Sequence, residues 1–165
     1  MMTRRSVIAL AAVLGTTLSA PSLAVKRCRP RRVLFVCQFG TVKSPVAREF
    51  FRRRAAQRGL PVEAQARGIT PQEHISRNLS LALQNDGINV RADPLRRLSP
   101  VDAKHADMVV FFDKLPPGLR ATHVRDWTDL PSMNSDYRSA RADLIRRVDQ
   151  LLDEISTSAA RGNGC

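Results

Sequence analysis

The sequence predicts a single three-layer α/β domain, in which a four-stranded parallel sheet carries helices on both faces. Three observations lead to this fold class. The length of 165 residues suits one domain of ordinary size. Short, continuous apolar runs rich in β-branched residues are typical of strands that are buried on both faces. These runs alternate with segments whose apolar residues recur at helical spacing, and such alternation is typical of a parallel sheet.

The first predicted unit is a strand followed by a helix. VLFVC at 33–37 is the strand, and after a short loop Pro45 stands where a first helical residue is favoured. The helix then continues until Gly59 ends it. Its buried face is predicted to consist of Val46, Ala47, Phe50, Phe51 and Ala55.

The rest of the chain continues the alternation. Further strands are predicted at 62–68 (VEAQARG), 107–113 (DMVVFFD) and 121–127 (ATHVRDW). Further helices are predicted at 74–87, at 99–106 behind a Ser99 cap, and near the C-terminus. The last helix has the clearest apolar stripe, formed by Tyr137, Ala140, Leu144, Ile145, Val148, Leu151, Leu152 and Ile155. The aromatic residues interpreted as core are Phe111, Phe112 and Trp127.

Residues 1–24 have the pattern of a secretory signal peptide. Two arginines at 4–5 precede an apolar run at 7–18 that is too short to span a bilayer, and Ser22 and Ala24 suit a cleavage site. The sequence TRRSVI also fits a twin-arginine export signal. We therefore expect an exported, periplasmic protein that uses the Sec or the twin-arginine route. An uncleaved N-terminal anchor is the alternative.

The expected mature chain has a basic segment at 25–31, a folded domain at 32–157 and a flexible tail at 158–165. Cleavage would lower the formal net charge from +12 to +10, because residues 1–24 hold two arginines and no acid. Such a charge suits an anionic substrate, an anionic membrane surface or nucleic acid. The basic clusters at 26–32 and 52–54 lack interleaved aromatic residues and match no nucleic-acid motif. We therefore interpret them as solvated surface, and expect neither a nucleic-acid partner nor a stable membrane span after cleavage.

A cysteine ends the first predicted strand. In open parallel sheets the functional site lies outside the carboxyl ends of the strands, which is where Cys37 stands. The helix that follows presents unpaired amides, which attract oxyanions and stabilise a thiolate relative to a thiol. The pattern predicts a nucleophile beside an anion-binding loop, which we call the Cys37 loop (residues 37–44). The alternative is that Cys37 is a small buried hydrophobic residue.

The segment VLFVC-QFGTV-KSPVAREFF resembles the phosphate-binding loop of low-molecular-weight protein tyrosine phosphatases and the related thioredoxin-coupled arsenate reductases. In that family a cysteine, five residues, an arginine, a serine and usually a proline follow the first strand. The segments GINVRADPLRRLSPVDAKHADMVVFFD and RDWTDLPSMNSDYRSARADLIRRVDQLLDEI resemble the middle and end of the family. The resemblance covers roughly residues 32–155 and implies a flavodoxin-like topology.

The resemblance implies hydrolysis of phosphotyrosine or a small phosphomonoester through a cysteinyl-phosphate, with no metal or organic cofactor. Cys37 would attack phosphorus, and Ser44 would donate a hydrogen bond to its sulfur. An aspartate at 126–129 would protonate the leaving oxygen and later activate water. The residues implied to hold the phosphoryl group are Gln38, Phe39, Gly40, Thr41, Val42, Lys43 and Ser44.

Three positions of the Cys37 loop depart from the family pattern. Lys43 replaces the arginine, and its point charge lacks the bidentate fork, so we expect a rate lower by on the order of a hundredfold. Gly40 replaces an asparagine with a left-handed backbone, which glycine adopts readily. Phe39 replaces a glycine, and we expect it to narrow or reshape the mouth of the site.

Two aspartates are candidates for the general acid. The family places this residue directly before a proline, whereas here Leu130 separates Asp129 from Pro131. The spacing to Tyr137 favours Asp129 over Asp126. The alternative is that these carboxylates only cap or solvate the turn.

The cysteines and histidines narrow the possible chemistry. Arsenate reductases of this group need further cysteines to form a disulfide, and residues 38–164 contain none. Cys28 and Cys165 are candidates for a disulfide in an oxidising compartment, with three unpaired thiols as the alternative. The three histidines, interpreted as structural or solvated, are His74, His105 and His123.

Two functions stay open: a phosphatase that is slow because of Lys43, and a catalytically weakened oxyanion-binding or thiol-redox module.

Overall fold

The computed structural model describes residues 29–161. The predicted signal peptide, Cys28 and Cys165 lie outside the described residues. The strands are β1 (Arg31–Cys37), β2 (Val62–Gly68), β3 (Met108–Phe111) and β4 (Val124–Asp126). The helices are α1 (Lys43–Gln57), α2 (Arg77–Asn85), α3 (Pro100–His105) and α4 (Tyr137–Ala160). None of the helices in this part of the chain is long and apolar enough to cross a membrane.

The four strands form one parallel sheet, as predicted, and their order is β2-β1-β3-β4. Because β1 is flanked by β2 on one side and β3 on the other, the direction in which successive strands are added reverses at β1. Cys37 pairs with Gly68, and Val36 with Phe111, so the carboxyl ends of these three strands meet at one edge. Such a reversal creates the crevice in which open α/β sheets bind ligands.

Helices cover both faces of the sheet, which confirms the three-layer arrangement. Successive side chains of β1 point to opposite faces, so Phe35 joins the larger core cluster and Leu34 joins the smaller one. The larger cluster includes the apolar faces of α1, α2 and α4, and the smaller one includes Ala103 of α3. Phe35 is fully buried, and its ring centroid lies 6.2 Å from that of Trp127. Trp127 therefore belongs to the core, as predicted.

Several boundaries differ from the predicted ones: α2 spans Arg77–Asn85 rather than 74–87, and β3 and β4 are shorter than predicted. The first helix begins at Lys43, two residues before Pro45. A proline in the first turn removes an amide that would have no helical partner, so it does not have to be the first residue. At the other end of the chain, α4 continues to Ala160, three residues into the segment predicted as a tail. Within this extension the Ser158 hydroxyl donates to the Glu154 carbonyl one turn earlier at 2.8 Å, a contact that a helical serine can make.

The arginine cluster at 52–54 contacts other parts of the fold. Arg54 donates to both carboxylate oxygens of Asp149 on α4, at 2.5 Å each, and so joins the first and last helices. Arg52 donates to Asp93 at 3.1 Å. Arg53 donates to the backbone carbonyl of Gly87. These guanidinium groups are thus partly engaged within the molecule, whereas the sequence suggested only a solvated surface.

Candidate active site

Cys37 is a buried free thiol at the carboxyl end of β1, with 4% of its surface exposed. Its Sγ lies 3.1 Å from Ser44 Oγ and accepts a hydrogen bond from the Gly40 amide at 3.3 Å. The Ser44 hydroxyl also donates to the Arg67 carbonyl at 3.2 Å. A hydroxyl carries one proton, so Ser44 can give it either to the carbonyl or to a sulfur that has become negatively charged.

The backbone of the Cys37 loop is held against β2 and the chain that follows β2. The carbonyls of Cys37, Gln38 and Phe39 accept hydrogen bonds from the segment 69–72, at 2.9–3.1 Å. In a trans peptide the carbonyl and the next amide point in opposite directions. The amides of residues 38–40 are therefore turned away from the segment 69–72, and the Gly40 amide accordingly reaches the sulfur.

Gly40 has a φ of +70°, which confirms the left-handed conformation predicted for this position. A Cβ added to Gly40 would lie 2.8 Å from the Cα of Gly68, closer than real Cβ contacts. A Cβ added to Gly68 would in turn lie 2.9 Å from the Phe39 carbonyl oxygen. Two glycines therefore permit the loop and the end of β2 to touch, and both are required for the same contact.

A cavity of about 210 Å³ opens at Cys37; we call it the Cys37 cavity. Its wall combines the loop, the start of α1, the end of β3, the chain before α2 and the segment before α4. The residues that line it are Cys37, Gln38, Phe39, Val42, Lys43, His74, Asp113, Ser132, Met133 and Asn134. Of the other predicted loop residues, Gly40 and Thr41 line a neighbouring cavity, and Ser44 is fully buried beside the sulfur.

Lys43 lines the Cys37 cavity and is also connected to the segment after β4. Its Nζ donates to the Leu130 carbonyl at 2.8 Å. An ammonium group has three donors, so this bond leaves two of them for an anion. Lys43 therefore joins the Cys37 loop to the segment in which the general acid was predicted.

Neither predicted general acid lines the Cys37 cavity. Asp129 accepts two hydrogen bonds from Arg147, at 2.8 and 2.7 Å, and 72% of its side chain is exposed. This guanidinium lowers the pKa of Asp129. The pKa of Asp126 is lowered by hydrogen bonding to Thr128, first to its side chain and then to its amide, which donates at 2.8 Å. Both contacts favour the ionised carboxylate, and the assignment of either residue as general acid stays a prediction.

Asp113 is a cavity residue that the sequence analysis did not select. It lies two residues after the end of β3, and its Oδ2 accepts a hydrogen bond from the Gln38 amide at 2.7 Å. The signal was present in the sequence, since a carboxylate follows the apolar run 108–112 and the carboxyl end of a strand is where a site is expected. Asp113 fixes the direction of the first amide of the Cys37 loop.

His74 also lines the cavity, although it was interpreted as structural or solvated. It is exposed, and its ring centroid lies 4.8 Å from that of Phe39. Asn134 donates to the His74 carbonyl at 2.9 Å and accepts from the Ser76 amide at 3.0 Å. It thereby connects two walls of the cavity. Phe39 and His74 together form one aromatic side of the mouth of the Cys37 cavity. This agrees with the expectation that Phe39 narrows or reshapes that mouth.

The site thus places a cysteine at a strand end, with loop amides and a lysine around it, in an α/β fold; this arrangement is typical of proteins that hold an oxyanion beside a thiol. The family model described as low molecular weight phosphotyrosine protein phosphatase matches residues 32–129, which is more than half of the chain. The protein belongs to this family. The comparison with curated proteins found no match.

Three solved structures share the fold. YfkJ from Bacillus subtilis is 22% identical, with a TM-score of 0.67 over 80% of this chain and 98% of that one. A low molecular weight protein tyrosine phosphatase from T. tengcongensis is 21% identical, with a TM-score of 0.61 over 75% and 99%. An arsenate reductase in the phosphate binding state is 19% identical, with a TM-score of 0.62 over 76% and 98%. At these identities the likeness shows the fold alone.

The contact between the two glycines predicts an unusually large effect of Gly40→Ala. We expect a loss of about 2 to 4 kcal/mol in the free energy of unfolding, from left-handed strain and overpacking together. Vanadate binding should be lost as well, because the loop can no longer approach Gly68. Denaturant unfolding and vanadate titration measure the two effects.

Gly59→Ala is the matched control for this substitution. Gly59 has a φ of +64°, but a Cβ added there would meet no atom within 4 Å. It should therefore lose only about 1 to 2 kcal/mol and keep vanadate binding. Equal losses for the two variants, with binding retained in both, would contradict the role assigned to the contact.

Proposed function

We propose that the protein is an exported phosphatase that hydrolyses phosphotyrosine or another small phosphomonoester through a cysteinyl-phosphate. The observation that carries this proposal is the position of Cys37 Sγ, beside the Ser44 hydroxyl and the Gly40 amide. Both groups can donate to a thiolate, and a loop of amides at a helix N-terminus suits a phosphoryl group. Family membership supports the same reaction class. Export is inferred from residues 1–24 of the sequence.

The first chemical step transfers the phosphoryl group to the enzyme. The Cys37 thiolate attacks phosphorus, an S–P bond forms, and the bond between phosphorus and the leaving oxygen breaks. An aspartic acid gives its proton to that oxygen. Asp129 would have to separate from Arg147 to reach the cavity, so the segment after β4 has to rearrange when substrate binds.

The second step returns the enzyme to its starting state. Water attacks phosphorus, the S–P bond breaks, and the aspartate accepts the proton of the water. Ser44 assists by turning its proton from the Arg67 carbonyl to the departing thiolate, since its oxygen is within reach of both. Inorganic phosphate leaves, and the thiolate is restored.

Lys43 supplies the side-chain charge that faces the phosphoryl group. Two of its donors are available while the third holds the Leu130 carbonyl. A lysine offers these donors without the planar geometry that binds two oxygens at once. The transition state is therefore stabilised less than by arginine, and the activity is expected to be low.

A second candidate function is an oxyanion-binding or thiol-redox module of the same fold. One observation favours it: Asp129 and Asp126 both lie outside the Cys37 cavity, in contacts that favour the ionised form. Such a module would bind phosphate or vanadate with little turnover. The thiol-redox form has no second cysteine between residues 38 and 164 to complete a disulfide.

Hydrolysis of p-nitrophenyl phosphate by the purified protein separates these two functions. We expect slow turnover, no turnover for Cys37→Ser, and a kcat higher by about tenfold or more for Lys43→Arg, because the guanidinium adds a transition-state contact. Vanadate titration of each variant shows whether the loop still binds anions. Bound vanadate without Cys37-dependent turnover, in both the parent protein and Lys43→Arg, would leave the binding module as the function.

The general acid can be identified from its dependence on the leaving group. Phenyl phosphate has a poorer leaving group than p-nitrophenyl phosphate, so its cleavage depends more on proton donation. Asp129→Asn should lower kcat for phenyl phosphate by about a hundredfold and for p-nitrophenyl phosphate by much less. Asp126→Asn and Asp113→Asn are the matched variants. If one of them shows this pattern and Asp129→Asn does not, the assignment of Asp129 is wrong.

A further inference from the structure

A second cavity, of about 250 Å³, lies beside the Cys37 loop; we call it the Arg48 cavity. Gly40 and Thr41 form its contact with the loop, and Pro45 and Arg48 contribute from α1. The segment 90–96 provides much of the remaining wall. Within the described residues, none that lines the Arg48 cavity also lines the Cys37 cavity. The two cavities are therefore separate sites on one loop.

Arg48 is a charged side chain at the wall of this cavity with only 2% of its surface exposed. Its Nε donates to Glu49 at 2.9 Å, and its Nη1 contacts Asp93 at 2.7 Å. Its Nη2 is buried and has no acceptor anywhere in residues 29–161. A buried charged donor without an acceptor is unfavourable, so the guanidinium of Arg48 has one donor that only a group from outside the described residues can satisfy.

The nearby carboxylates are already engaged with other arginines. Asp93 accepts from Arg52 at 3.1 Å as well as contacting Arg48, and Glu73 accepts from Arg91 at 2.5 Å. None of these acids contacts Nη2, and a shift of any of them toward it would weaken a bond that exists. An acceptor from outside the chain is thus the way to satisfy Arg48 without a loss elsewhere.

The rest of the wall limits the kind of ligand. Arg91 and Arg96 add positive charge, while Glu73 and Asp93 disfavour a dianion. The apolar part of the wall comprises Ala66, Ile75, Val90, Pro94 and Leu95. The volume lies just below the roughly 300 Å³ at which typical ligand pockets begin, so the ligand has to be small. A monoanion with an apolar body fits these conditions best.

We propose that the Arg48 cavity binds a small organic carboxylate with an apolar body. The side chain of Arg48 turns slightly so that Nη2, which is covered in this structure, donates to a carboxylate oxygen in a charge-assisted contact, and Arg96 adds attraction at the exposed side. The apolar body packs against the aliphatic residues. This site needs neither the Cys37 thiol nor turnover, so it goes beyond the proposed phosphatase function and stands independently of it.

Titration of the purified protein with benzoate, followed by NMR or calorimetry, tests the proposal. We expect saturable binding to one site, retained in Cys37→Ser and in the presence of saturating phosphate. Benzyl alcohol, which keeps the ring but lacks the charge, should not bind measurably. Arg48→Met should weaken benzoate binding about tenfold or more, because a hydrogen bond between two charged groups is lost.

Arg52→Met is the matched control, because Arg52 lies one turn later on α1 and shares Asp93 but does not line the cavity. It should change benzoate affinity by less than about threefold. If Arg48→Met does not fold, the benzoate affinity of Arg96→Glu tests the proposal instead. Arg96 is exposed, and the new carboxylate would repel benzoate and weaken its binding. Unchanged affinity in these cavity variants, loss of benzoate binding when phosphate is added, or no saturable binding at all would overturn the proposal.

Discussion

The close approach of Gly40 to Gly68 is the constraint on which the candidate site depends. It allows the Cys37 loop to lie against the end of β2, and the left-handed backbone at Gly40 directs its amide to the Cys37 sulfur. Hydrogen bonds from the segment 69–72 fix the loop carbonyls on one side and thereby the amides on the other. In the proposed function, the holding of an anion and the activation of the thiol both depend on this one backbone contact. The charge of side chains such as Lys43 adds to the site, but it does not produce the backbone conformation of the Cys37 loop.

Lys43 shows how a changed side chain can alter function while the backbone is kept. An arginine at this position would present a planar fork, whereas the lysine uses one donor on Leu130 and keeps two for an anion. The same bond connects the loop to the segment that holds Asp126 and Asp129. In the proposed mechanism the two remaining donors bind the anion, so this connection is kept while substrate is bound.

The sequence predicted most of the fold because its signals are local. Apolar runs, helical stripes and the Ser99 cap predicted the strands and helices of residues 29–161. The left-handed backbone at Gly40 was predicted from the resemblance of the loop to the family. The cavity wall was harder to predict. Asp113 and His74 reach Cys37 only because distant segments meet at one edge of the sheet. The ion pair between Asp129 and Arg147 likewise depends on how α4 packs, which periodicity does not specify.

The proposed function depends on attack by the Cys37 thiolate on a phosphoryl group that the loop holds. Rapid acid quenching of the protein with p-nitrophenyl phosphate, followed by peptide mass spectrometry, detects the product of this attack. The proposed mechanism predicts a phosphoryl group on the peptide that contains Cys37, and none in Cys37→Ala. Formation of p-nitrophenolate without a phosphoryl group on that peptide, or with the group on another residue, would contradict this mechanism.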